Sequence, residues 1–129
     1  MLIDDDPDDQ LFFRDAVQLI HPELVCELAS TCQQAFEQLE NPPPPEFIFM
    51  DLNMPVMNGF DCLVYLKNQE LYSQIPIIIF TTSKNPQDIS RTRQLGARHF
   101  MTKPDDFNIL CKKLKKIIQG DSVDGLFII

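Results

Sequence analysis

Short apolar runs recur along this chain, at residues 2–5, 24–29, 47–50, 77–80 and 98–102. A longer stretch with apolar residues at helical spacing follows each one. The third and fourth runs, Phe47-Ile48-Phe49-Met50 and Ile77-Ile78-Ile79-Phe80, carry no polar position, the pattern of strands buried on both faces. Asp6-Pro7 predicts the first helix: Asp6 suits the N-cap, Pro7 the first helical position, and Asp8 and Asp9 the positive first turn. Phe13, Ala16, Val17 and Ile20 form its inward stripe, and His21-Pro22 ends it. Thr31 caps a second helix reaching about Glu40, with Ala35, Phe36 and Leu39 inward. Asn41 and four prolines follow as a stiff, polyproline-like loop. Residues 54–59 read as loop, with Asn58-Gly59 as a turn before a helix over 60–68. Asn85-Pro86 opens a helix that ends at Gly96, with a thin stripe of Ile89, Thr92 and Leu95. Asp105 or Asp106 caps the last helix, which runs to Gln119. Phe107, Leu110, Cys111, Leu114 and Ile118 line its inner face, and Lys112, Lys113, Lys115 and Lys116 lie opposite.

Five βα units with doubly apolar strands predict an α/β fold, a doubly wound five-stranded parallel sheet with helices on both faces. In such sheets the site lies at the carboxyl ends of the strands. A flavodoxin-like strand order 2-1-3-4-5 sets the first and third strands side by side.

Chemistry collects at those ends. Asp4 and Asp5 end the first run, Asp51 the third, Thr81 the fourth, and Lys103-Pro104 the fifth. Carboxylates at the ends of buried strands repel one another and resist desolvation, so a cation belongs between them. An acid cluster, a hydroxyl and a mobile ammonium suit a metal ion and a phosphoryl group. A carboxylate nucleophile is already ionised at neutral pH and needs no general base.

Composition narrows the function classes. The 129 residues fit one domain, and the net charge of −8 repels phosphate backbones, so nucleic acid is not an expected partner. No apolar run nears the ~20 residues of a membrane span. Asp4 interrupts the first apolar stretch, so no signal peptide is expected. Cys26, Cys32, Cys62 and Cys111 have no CxxC spacing and read as small core residues of a reduced, cytoplasmic protein.

Four motifs together resemble the receiver domain of two-component response regulators: Leu2-Ile3-Asp4-Asp5-Asp6-Pro7, Met50-Asp51-Leu52-Asn53-Met54-Pro55-x-Met57-Asn58-Gly59, Ile79-Phe80-Thr81-Thr82 and Thr102-Lys103-Pro104. The resemblance covers residues 1–119 and leaves 120–129 as a tail, so the chain looks like the stand-alone, chemotaxis-regulator type. It implies that Asp51 accepts a phosphoryl group from a histidine kinase or histidine phosphotransfer protein, with Mg²⁺ required. Asp5 and Asp51 would be metal ligands, Asp4 a partner through water, and Asn53 a ligand through its backbone carbonyl. Thr81 and Lys103 would contact the phosphoryl group. Thr81 and Phe100 would form the switch, with a downstream protein target at the 86–119 face. Such a domain catalyses only its own phosphorylation and dephosphorylation. The family pattern also has the Lys103-Pro104 bond cis.

Two departures stand out. Phe100 has no hydroxyl to bond when turned outward, and Thr82 replaces a smaller residue, narrowing access to Asp51. A hydrolase of the haloacid-dehalogenase type would use Asp4-x-Asp6 but needs a cap insertion, which the chain lacks room for. A degenerate receiver serving only as a binding module is opposed by intact Asp5, Asp51, Thr81 and Lys103. Leu126-Phe127-Ile128-Ile129 should not stay in water and is expected to dock on this domain or on a second copy.

Overall fold

A computed structural model describes residues 1–120 and 125–129. The tail positions Asp121, Ser122, Val123 and Asp124 lie outside the described residues. Strands β1 (Leu2–Ile3), β2 (Leu28–Ala29), β3 (Ile48–Met50), β4 (Ile77–Thr81) and β5 (His99–Thr102) alternate with α1 (Pro7–Ile20), α2 (Cys32–Leu39), α3 (Gly59–Lys67), α4 (Pro86–Gln94) and α5 (Phe107–Gln119). The sheet order is β2-β1-β3-β4-β5, all parallel. This is the flavodoxin-like order expected from the sequence.

Alternation along each strand divides the core into two layers. Leu2, Phe49, Ile78, Phe80 and Met101 pack with α1 and α5 on one face. Ile3, Met50, Ile77, Ile79 and Phe100 pack with α2 and α3 on the other. The helix starts follow the sequence: Asp6, Thr31, Asn85 and Asp106 each accept a backbone N–H of their own first turn.

Several expectations need correction. β2 is two residues and not six. Its one partner, β1, offers only Leu2 and Ile3, and Val25 is 79% exposed. β1 spans only Leu2–Ile3, although the Asp4 N–H still donates to Ala29 O. Asn58 is the N-cap of α3, accepting from Asp61 N, and Gly59 is its first residue, so the pair is a helix start and not a separate turn. On α5, Ile117 is buried alongside Leu110, Cys111 and Leu114, and Phe107 and Ile118 only partly. Among the described residues the one cis peptide bond joins Pro42 and Pro43, so Lys103-Pro104 is trans, the isomer X–Pro bonds favour.

The tail docks in cis. Ile128 bridges Phe100 in parallel, adding a short sixth strand position outside β5.

Candidate functional site

The register decides which side chains meet. Ile3 pairs with Met50, so Asp4 and Asp51 leave neighbouring strands side by side. The ladder continues through both: Asp4 N donates to Ala29 O at 2.9 Å and Asp51 N to Ile3 O at 2.9 Å. Asp4 is fully buried, Asp51 nearly so, and Asp5 exposed. One carboxylate oxygen from each of the three lies within 4.8 Å of the others.

Asp51 is held at both oxygens. Oδ1 accepts from Leu52 N at 2.7 Å and, weakly, from Asn53 N at 3.4 Å, while Oδ2 accepts from Lys103 Nζ at 3.1 Å. Lys103 also pairs with Asp4 at 2.8 Å and Asp9 at 2.7 Å. Its backbone N–H donates to Thr81 O at 2.7 Å, which ties the residue to the end of β4. Thr81 is fully buried, and its hydroxyl accepts only a long 3.4 Å contact from Ser83 N. Asn53 and Thr82 are exposed. Phe100 is fully buried, its inward state.

The electrostatics follow from this crowding. Burial raises the Asp4 pKa, opposed by Lys103 and the Asp6 N–H and assisted by the nearby Asp51 charge. Desolvation is thus the main cause, with repulsion among the acids the smaller one. Burial alone would lower the Lys103 pKa, but the surrounding Asp4, Asp9 and Asp51 outweigh it and raise it.

The one ammonium of Lys103 contacts the carboxylates of Asp4, Asp9 and Asp51, and Asp5 adds a further charge to the acid cluster. Asp4 Oδ2 is buried and accepts no hydrogen bond, touching Lys103 only as an ion contact. All the donors are hard oxygens. That set fits Mg²⁺, which favours carboxylates and water over nitrogen or sulfur.

Two contributors escaped the sequence reading. Asp9 looked like a first-turn residue, yet it reaches Lys103. Its signal was an acidic run, residues 4–6 and 8–9, longer than one cap needs. Gly59 looked like a turn former. A Cβ there would lie 2.2 Å from Asp51 O and 2.7 Å from Leu52 Cα, so only glycine lets α3 start against the backbone that carries Asp51. Gln10 adds a brace, donating to Asp4 O at 2.6 Å and Ser30 Oγ at 3.0 Å. Asp6 is engaged as the cap of α1, accepting from Asp8 N and Asp9 N. It is not placed as the second acid of a hydrolase.

Residues 1–115 match the response regulator receiver domain family. The chain belongs to this family. It is 32% identical over 83 residues to the response regulator Rcp1 of Synechocystis sp., covering 64% of this chain and 54% of that protein. The chain thus spans about half the length of this curated relative. The phosphorylated cyanobacterial phytochrome response regulator RcpA shares the fold, with a TM-score of 0.82 over 92% of this chain and 89% of its own at 23% identity. The Mn(2+)-bound form of Rcp1 superposes with a TM-score of 0.72 at 25% identity, over 90% of this chain and 88% of its own. Receiver domains of this family bind Mg²⁺ or Mn²⁺ at an acidic pocket, and the Asp4, Asp5 and Asp51 cluster fits such a pocket.

Proposed function

We propose that this chain is a phosphoryl-accepting signalling switch of a two-component phosphorelay. The observation that carries this reading is the convergence of Asp4, Asp5 and Lys103 on Asp51 at the carboxyl ends of β1, β3 and β5. A carboxylate oxygen of Asp51 attacks the phosphorus of a phosphohistidine on a histidine kinase or histidine phosphotransfer protein. The P–N bond breaks, its electron pair returns to the imidazole, and an aspartyl phosphate forms. Asp5, Asp51 and the Asn53 backbone carbonyl would hold Mg²⁺, with Asp4 acting through water. The bound ion would offset the charge that otherwise repels the incoming phosphoryl oxygens. Lys103 already touches Asp51 and is placed to follow the new charge. The chain catalyses its own phosphorylation and dephosphorylation and nothing further. Thr82 would narrow the approach to Asp51 and so bears on the rates of both steps.

The Thr81 hydroxyl accepts one weak contact, so its proton is available to a phosphoryl oxygen. Phe100 stands on the neighbouring strand, paired with Ile79 two residues before Thr81, and it would carry the change to the 86–119 face, where a downstream protein binds. Neither DNA nor RNA is a partner, and the site of action is the cytoplasm. Among the described residues no helix is long and apolar enough to cross a membrane.

Intact-mass spectrometry after incubation with a small acyl-phosphate donor tests the reading. One Mg²⁺-dependent, labile phosphoryl adduct is expected. It should vanish in Asp51→Asn; an adduct formed there at the parent rate would overturn the assignment.

A further inference from the structure

The tail meets β5 as a bound peptide would. Phe100 N donates to Phe127 O at 2.8 Å, and Ile129 N donates to Phe100 O at 3.0 Å. His99 Nδ1 lies 2.7 Å from Leu126 O, and Lys113 Nζ donates to Ile129 O at 3.2 Å. Alternate side chains turn in. Phe127 packs against the layer that holds Phe100, with ring centroids 6.4 Å apart, and the Arg93 guanidinium stands 5.5 Å from the Phe127 ring centre. Ile129 packs against the α1–α5 layer. Leu126 and Ile128 point outward, 54% and 60% exposed. Backbone bonds for affinity and alternate pockets for specificity define recognition by strand addition.

The attachment is short. Its described contacts come from Leu126 to Ile129, and glycines with positive φ, Gly120 and Gly125, flank residues 121–124. Without the tail, the N–H and C=O of Phe100 would stand unpaired on an open edge beside Arg93 and Lys113.

We propose that the outer edge of β5 is a strand-acceptor site. The chain's own Leu126–Ile129 fills it as a tethered ligand. A partner takes it over by laying down an extended, parallel segment in place of the tail. That segment has apolar side chains at two alternate positions and acidic residues near them, to match the Phe127 and Ile129 seats and the Arg93 and Lys113 charges. This inference is independent of the chemistry at Asp51.

The test uses the full chain and a fluorescent synthetic peptide with the sequence of residues 121–129, whose aspartates supply the acidic flank. A short tether gives the bound tail an effective concentration of about millimolar, so the parent should bind the peptide weakly. Phe127→Asp expels the tail without shortening the chain. The peptide should bind this variant about tenfold or more tighter than the parent, read by fluorescence anisotropy. Exchange of the Phe100 amide should quicken in the variant and slow again on adding peptide. Ile129→Pro, which removes the N–H bonded to Phe100 O, gives a second route to an open edge should Phe127→Asp fold poorly. Equal binding to parent and variants, or none to a folded variant, would overturn the proposal. A parent that dimerises by exchanging tails while no chain takes up peptide would overturn it too.

Discussion

The segments after β3 and after β4 leave the same end of the sheet from neighbouring strands, yet they are held in opposite ways. Residues 52–58 are fixed through the backbone. Leu52 and Met54 are buried, Gly59 N donates to Leu52 O at 2.9 Å, and α3 starts in contact with the Asp51 carbonyl. Residues 82–85 are held by side chains around Ser83. Its hydroxyl donates to Asp88 at 2.7 Å and accepts from Asn85 N at 3.2 Å, and its carbonyl accepts from Thr102 Oγ1 at 3.2 Å. The helices that follow repeat the contrast: α3 buries Gly59, Cys62, Leu63 and Leu66, whereas α4 buries only Thr92. Few buried apolar contacts mean a low cost of local opening. The segment after Asp51 is therefore the fixed one, and the segment after Thr81 is the one that opens at lower cost.

The largest effect should come from breaking the fixed side. Gly59→Ala forces a Cβ into backbone that cannot retreat and should cost about 3 kcal/mol by urea unfolding. Gly96→Ala is the control. There φ is +101°, and the nearest neighbour is the flexible Lys67 chain at 3.5 Å, so the cost should be about 1–2 kcal/mol. Equal costs would show that close approach at Gly59 is not what fixes the loop. Next comes Lys103→Met. Removing one partner from a buried ion pair costs about 3–5 kcal/mol, and the partly exposed Asp9 reduces that to about 2 kcal/mol here. Saturating Mg²⁺ should restore part of the loss, because the acids regain a cation. A loss unaffected by Mg²⁺ would mean that the acids do not share one site.

Asp9 and Gly59 mark where sequence reading stops. Caps and strand interiors are local patterns, so Asp6, Thr31, Asn85, Asp106 and the apolar runs were legible. The βα alternation made the doubly wound parallel sheet legible, and the order 2-1-3-4-5 is one of its common forms. Asp9 meets Lys103 across 94 positions, and the Gly59 contact closes the loop back onto Asp51 and Leu52. Neither leaves a local trace beyond an acidic run and a turn-like dipeptide. The β2 run shows strand periodicity, but strand length is set by the partner, and β1 supplies two residues. The tail's apolarity was readable, while its seat on β5 depends on an edge that exists only in the assembled sheet.

On the responsive side, Ser83→Ala should cost about 1 kcal/mol, since it removes a hydrogen bond to the Asp88 carboxylate. Its clearer signature is kinetic. Amide exchange in α4 should quicken while α3 is unchanged, measured by hydrogen exchange with mass spectrometry. Acceleration in both helices would show that the two segments open together and would remove the contrast.

The smallest effect sharpens where the fixed side ends. Val56 sits at the tip of the loop after β3 with φ +67°, the left-handed region that a β-branched residue avoids, and its side chain is fully exposed. No packing is lost on removing it. Val56→Gly relieves about 1–2 kcal/mol of backbone strain, while glycine's freedom in the unfolded chain returns roughly 0.5–1 kcal/mol. The net should be a stabilisation of about 0.5 kcal/mol in urea unfolding. If Gly59 and the Asp51 Oδ1 bond to Leu52 N hold the acceptor, loosening the tip leaves Asp51 in place. The rate of Mg²⁺-dependent phosphoryl uptake should then match the parent. A slower rate despite the gain in stability would mean that the strained tip helps to aim Asp51, and the fixed frame would extend from Leu52 through the whole loop.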